Sequence, residues 1–300
     1  MSDKIKIYYV PRLKEGRESH LIDQGLRNNS RVELVDNAKE SDFVFLFAFA
    51  SRNKHLYGED VAPPNKTVLI DYVDNPRWIC SGNWLAYFKR SWVERIDKGG
   101  ITVSIPILRS SNFYPLTMAI MDEFISDPHR VLGDIKRDYT LSCSLRKVKR
   151  HYNRRKVLAL LEKMHIPGKS QIGEFNRGTM FKFNAPDMRD YFRLLRRSKI
   201  VVTCNPGKWE GDHRTWEAFA NEPLVFVDKT LTPLNRPLLD GMHCIFYDLS
   251  DRGLRELRKK IIYYINHPDE AAIIAHAGHV FTMKYHRSSN RINEILEVIT

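Results

Sequence analysis

Residues 211–228 read GDHRTWEAFANEPLVFVD. Asp212, His213, Arg214 and Glu217 crowd into the start of a segment long enough for a short helix. Pro223 ends that segment, and Leu224, Val225, Phe226 and Val227 form an apolar run that closes on Asp228. A continuous apolar run between polar turns is the pattern of a strand covered on both faces, as in a parallel sheet flanked by helices. The charge ahead of it has two readings. One is an ordinary solvated helix end. The other is an anion site, because the first N–H groups of a helix lack partners and carry the positive end of its dipole.

The same grammar extends in both directions. Upstream, a strand is expected at 139–142, a helix at 154–164 with Val157, Leu158, Leu161 and Met164 on one face, and a strand at 169–172. A helix follows over Pro186–Arg197, then the strand KIVVTC at 199–204. Downstream, a strand is expected at 243–247, and Leu254, Leu257, Ile261 and Ile265 mark an amphipathic helix. Two further helices follow, one opening near Pro268 and one over 287–299. The first half repeats the alternation. Strands are expected at Ile5–Val10, Phe43–Phe47, 68–70 and 87–89, with a helix at 21–27. Pro106, Pro115 and Pro128 put the seam in 106–138, and 117–125 has helical character. Strands alternating with helices mean parallel sheets, so the expectation is two α/β domains.

Composition narrows the function. The chain has 300 residues, 43% of them hydrophobic, enough for two cores. No apolar run approaches membrane-spanning length, and MSDKIKIYYV lacks signal-peptide architecture. Cys80, Cys143, Cys204 and Cys244 lie far apart without metal-ligand spacing, and are expected as buried thiols of a cytoplasmic protein. The net charge is +12, and the first 125 residues are nearly neutral, so the excess falls in 126–300. An anionic partner follows, either a phosphorylated small molecule or a nucleic acid. The densest run, SLRKVKRHYNRRK at 144–156, offers only His151 and Tyr152 as stacking platforms, and a solvated face reads it equally well. A dinucleotide oxidoreductase is disfavoured because no Gly-x-Gly-x-x-Gly follows the first strand.

Four segments stand in a telling order: YTLSCSLRK at 139–147, MRDYFRLLRRSKIVVTCNPG at 188–207, HRTWEAFANEPLVFVD at 213–228 and HPDEAAIIAHAGHVF at 267–281. The series resembles the donor domain of GT-B fold glycosyltransferases over roughly 138–300, with its nearest likenesses in the CgeB-like and exostosin-like (glycosyltransferase family 47-like) groups. LIDYVDNPRW at 69–78 and YFKRSW at 87–92 add a weaker likeness in the first half. The resemblance implies an α/β fold of two Rossmann-like domains facing a cleft. It divides the chain into an acceptor-side domain at 1–125, a donor domain at 126–285 and a C-terminal helix at 286–300 packing back on the first. It also implies transfer from a UDP-sugar, such as UDP-xylose, to a glycan hydroxyl.

The residue types suit that chemistry. A departing diphosphate gains negative charge, which cations and helix N-termini stabilise. The resemblance makes Arg214 the diphosphate contact, by the fork of its guanidinium, and Glu217 the acceptor of ribose hydroxyls. The alternative for Arg214 is an ion pair with Asp212 or Asp228, and for Glu217 a helix-stabilising acid. His213 stands beside them. Ser142 and Ser144, with Arg146 nearby, offer a phosphate turn, and Phe175 lies where the base would pack. No Asp-x-Asp is present and Asp71 and Asp74 have the wrong spacing for one, so no metal is expected. Retaining relatives often carry two glutamates with seven residues between them; Glu210 and Glu217 have six between, which leans toward inversion. An inverting transfer needs a base from the first domain. The candidates are Asp74, then Asp71, then His20, each with a turn-capping or surface role as its alternative. Two other functions stay open: a sugar-nucleotide epimerase of the same fold, and a non-enzymatic basic protein binding nucleic acid or another polyanion. Nucleic acid is not the expected partner, because no recognised module for it appears.

Overall fold

A computed structural model describes residues 4–10, 17–47, 63–73, 84–92, 95–98, 101–104, 112–121, 136–145, 151–173, 186–206, 211–230 and 232–300. The chain divides into two compact units, one of Met1–Asp122, Leu231–Leu234 and Arg287–Thr300, the other of Glu123–Thr230 and Asn235–His286.

In unit 1, strands β1 (Ile5–Val10), β2 (Val32–Leu34), β3 (Phe43–Phe47), β4 (Thr67–Asp71), β5 (Ala86–Lys89) and β8 (Phe113–Pro115) form a parallel sheet in the order β2-β1-β3-β4-β5-β8. The apolar runs lie centrally: every residue of β4 and β5 is buried. Strands β6 (Arg95–Lys98) and β7 (Ile101–Ser104) pair antiparallel as a separate ribbon. Helix α1 (Arg17–Arg27) begins a turn before its apolar pattern does. Residues 117–121 are not helical; Ile120 instead bridges to Arg287, because the apolar side chains of Met118 to Met121 are all buried rather than confined to one face.

In unit 2, strands β9 (Tyr139–Ser144), β10 (Lys169–Gly173), β11 (Ser198–Val202), β12 (Leu224–Asp228) and β13 (Ile245–Tyr247) form a parallel sheet in the order β10-β9-β11-β12-β13. Helices α2 (Tyr152–Glu162), α3 (Pro186–Arg197), α4 (His213–Ala220), α5 (Asp251–Asn266) and α6 (Pro268–Tyr285) complete the unit. Val157, Leu158 and Leu161 of α2, Leu257 and Ile261 of α5, and Ile274 of α6 share one core with the apolar residues of β9, β11 and β12. Both sheets therefore have the doubly wound form, and in each the strand order reverses beside the first strand of its unit. In such sheets ligands bind outside the carboxyl ends of the strands at that reversal.

Helix α7 (Ser288–Ile299) belongs to unit 1 and packs on α1. Gly25 makes the close approach possible: a Cβ there would lie 2.6 Å from the Ser288 carbonyl oxygen. Asn29 Nδ2 donates to Asn293 Oδ1 at 2.9 Å beside it. Cys143, Cys204 and Cys244 are buried free thiols, as expected; Cys80 lies outside the described residues.

Candidate functional site

The carboxyl edge of the unit 2 sheet gathers the charged residues of the opening motif. Strand periodicity turns Cys143 into the core and Ser142 and Ser144 to the other face. Their environments differ. Ser142 is buried, its Oγ 2.8 Å from Ser198 Oγ, so its hydroxyl joins β9 to β11 inside the sheet. Ser144, at the end of the strand, is partly exposed.

Across the reversal, α4 opens on Asp212, the residue flanking its first turn. Asp212 does not cap the helix with its side chain. Instead its carboxylate accepts from two arginines on one oxygen: Arg154 Nη2 at 2.5 Å and Arg214 Nη1 at 3.3 Å. Arg154 comes from α2, where it lies on the apolar face with Val157, Leu158 and Leu161, and it is 2% exposed. Its Nε donates to the Cys204 carbonyl at 2.8 Å just beyond β11, and its Nη1 is 3.4 Å from His151 Nδ1. One guanidinium thus ties the starts of α2 and α4 to the end of β11. The ion pair between Arg214 and Asp212, weighed from the sequence, is present. It engages one N–H group of the Arg214 guanidinium. Two arginines share the Asp212 carboxylate, and the Glu217 carboxylate also acts on Arg214.

Glu217 follows Arg214 by almost a turn and is 2% exposed; His213 is buried beside it. Thr203 Oγ1 lies 3.2 Å from Thr215 Oγ1, and Trp216 stacks on His286 with ring centroids 4.5 Å apart, which pins α4 from both sides. Sequence reading passed over Arg154. Its signal was an arginine in register with the apolar face of a helix, a place a charge occupies only when paired.

At the end of β12, Asp228 is buried. Its Oδ1 accepts from Asn205 N at 2.8 Å and Asn205 Nδ2 at 2.9 Å, and it makes no contact with Arg214 of the kind the sequence allowed. Burial pushes the Asp228 carboxyl up to about 7, with the Asn205 bonds acting in the opposite sense. The unfolded value is 3.8, so between about 4 and 7 the folded chain holds a proton that the unfolded chain releases. Stability then falls as pH rises through that window. Asp228→Asn keeps an oxygen for Asn205 and removes the titration. Urea unfolding should show the variant equal to the parent near pH 4 and more stable at pH 8, by on the order of 1–3 kcal/mol.

The candidate bases sit in unit 1. Asp71 is fully buried at the end of β4. Its Oδ2 accepts from Lys89 Nζ at 2.8 Å and Tyr87 OH at 2.5 Å, and its Oδ1 from Val73 N at 2.9 Å. A carboxylate so enclosed joins β4 to β5. His20, on α1, is partly buried, with Nε2 3.2 Å from Gln24 Nε2. Asp74, Arg146 and Phe175 lie outside the described residues.

A cavity of about 640 Å³ opens at the opposite, amino edge of the unit 2 sheet, among Arg137, Thr140, Lys199, Ile200, Tyr264 and Ala275. None of the residues gathered at the carboxyl edge lines it.

A family model described as "Glycosyl transferase-like" matches residues 145–297. No curated protein sequence matches the chain. Among solved structures, an alpha-glucosyltransferase in complex with UDP and a 13-mer DNA containing a central A:G mismatch is 10% identical, with a TM-score of 0.61 and 100% of each chain covered. Anabaena Alr3699/HepE in complex with UDP and glucose is 11% identical, with a TM-score of 0.61 and 99% of each chain covered. A sucrose-phosphate synthase from Thermosynechococcus elongatus is 8% identical, with a TM-score of 0.58 and 98% of each chain covered. At such identities the likeness is one of fold, and that fold is the GT-B arrangement of two parallel-sheet Rossmann-like domains.

Proposed function

The chain belongs to the glycosyl transferase-like family, and from that premise we propose that it moves a sugar from a UDP-sugar to an acceptor hydroxyl without a metal ion. The observation that carries this reading is the Arg154–Asp212–Arg214 node with buried Glu217 beside it, at the carboxyl edge of the second sheet. The two guanidiniums stand where a diphosphate would gain charge, and the first N–H groups of α4 add to them. Arg214 takes the diphosphate oxygens, Glu217 accepts from the ribose hydroxyls, and Ser144 borders the phosphates. UDP as the nucleotide is supported by the similar structures solved with UDP. In the reaction the bond between the anomeric carbon and the diphosphate oxygen breaks and the electron pair leaves with the diphosphate. A bond forms to the acceptor oxygen, whose proton passes to a base.

The Glu210–Glu217 spacing favours inversion, with Asp74, then Asp71, then His20 as the candidate base. A second reading is retention. It is favoured by the enclosed state of Asp71 and by a full-length fold match named as an alpha-glucosyltransferase, also solved with UDP-glucose and DNA containing an abasic site. Proton NMR of the first-formed product decides: an axial anomeric bond from an α-linked donor overturns inversion and the need for a unit 1 base. Product analysis without acceptor separates either reading from an epimerase.

The donor assignment is tested by calorimetric titration with UDP, GDP and CMP, with and without EDTA. UDP should bind best, unchanged by EDTA, with at least tenfold weaker binding in Glu217→Gln, about 1.4 kcal/mol. Binding abolished by EDTA, or untouched by Glu217→Gln, would overturn it.

A further inference from the structure

Helices α2 and α5 lie side by side on one face of the unit 2 sheet, sharing the core through Val157, Leu158, Leu161, Leu257 and Ile261. Their outer faces are therefore neighbours. On α2 that face carries Arg155, Lys156 and, just past its end, Lys163; on α5 it carries Arg252, Arg255 and Lys259, at spacings of three and seven that align on one side of a helix. Lys156 Nζ lies 3.6 Å from Asp251 Oδ1, which joins the two faces into one. The acids Glu162, Asp251 and Glu256 leave a clear cationic excess. Tyr152 stands at one end, 59% exposed, with the Lys156 ammonium 5.1 Å and the Arg155 guanidinium 5.7 Å from its ring centre.

We propose that this basic face binds the phosphate backbone of a nucleic acid. The charges are regularly spaced along two helices, about 10 Å from Arg252 to Lys259 at 1.5 Å per residue, which suits a linear series of phosphates. Arginine dominates α5, and its fork matches phosphate oxygens. Tyr152 offers one stacking platform, so the binding is led by phosphate and indifferent to sequence. An anionic lipid surface fits less well. A membrane-surface helix buries its apolar side in the headgroup region, whereas the apolar sides of α2 and α5 are inside the protein core. Both helices start at the carboxyl edge of the sheet, so Tyr152, Arg155, Arg252 and Arg255 hold the polyanion alongside the proposed donor site. The inference does not need that site to be correct, since it concerns binding alone.

The test uses the full chain and a fluorescent DNA duplex of about 20 base pairs, read by anisotropy across a salt series. Arg155→Gln, Arg252→Gln and Arg255→Gln are combined in one variant, which spares the Lys156–Asp251 ion pair and the donor residues. Binding by the parent should weaken steeply with salt. The variant should bind at least tenfold more weakly, with a log–log salt slope shallower by roughly 2–3, because each phosphate no longer neutralised takes about 0.9 off the slope. UDP titration and urea unfolding should be unchanged by the substitutions, which separates this outcome from damage to the fold or to the donor site. Absence of parent binding, a slope equal in parent and variant, or binding confined to phosphatidylserine vesicles would each overturn the proposal.

Discussion

Arg214→Met is expected to lower kcat/KM for UDP-sugar turnover by roughly a hundredfold to a thousandfold, with most of the effect in kcat. The guanidinium is proposed to meet charge that grows as the glycosidic bond breaks, so its removal should weaken the transition state more than the bound donor. The fold should survive. Asp212 accepts from Arg154 as well as from Arg214, so the substitution leaves Asp212 with a cation. Initial rates over a donor concentration series, with thermal unfolding alongside, make the check. A variant that keeps the parent's kcat while falling in thermal stability would return Arg214 to a purely structural ion pair. Asp212→Asn is the informative companion: it loosens both arginines at once, and should raise KM and lower kcat together.

Lys89→Met should have the largest effect on stability, about 3–5 kcal/mol, because it strands the Asp71 carboxylate in the sheet of unit 1. The Lys89 and Asp71 side chains are 2% and 0% exposed, so water cannot take the lysine's place. Pairing the change with Asp71→Asn removes both charges and should recover most of the stability, the expected pattern when a buried pair is dismantled whole. Urea unfolding of the two single variants and the double one measures the coupling. The same set bears on catalysis. If Asp71 only joins β4 to β5, activity per folded molecule in the double variant stays near the parent's. A collapse of activity in a stable double variant would support Asp71 as a base and show that the enclosed geometry opens during turnover.

Much of the donor side was legible in the chain itself. Leu224 to Val227 could only be a covered strand, and the placement of Arg214 and Glu217 on the helix ahead of it followed from the length of the segment and from Pro223. What escaped was each partner reached across the fold. Arg154 looked like one cation among many in a basic run, yet it is the one turned inward, bonded to the Cys204 carbonyl and Asp212. Ser142 and Ser144 looked equivalent, but strand depth gives one hydroxyl to Ser198 and leaves the other at the edge. Asp71 read as a strand-end carboxylate suited to a base until Lys89 and Tyr87, on the adjacent strand, enclosed it.

The sequence by itself determined the alternation of strand and helix, the presence of two parallel sheets and the concentration of positive charge in the second half. These are properties of local pattern: apolar period, turn residues and composition act within a few positions of one another. Only the tertiary structure decided which charges face water and which face each other. Strand order sets that, and strand order is not local: β9 lies between β10 and β11, which brings residues 154, 204 and 212 to one point. A buried charge persists only where its partner is held, and here the partner comes from a different strand or helix, so the geometry of the site is a property of the sheet rather than of any motif.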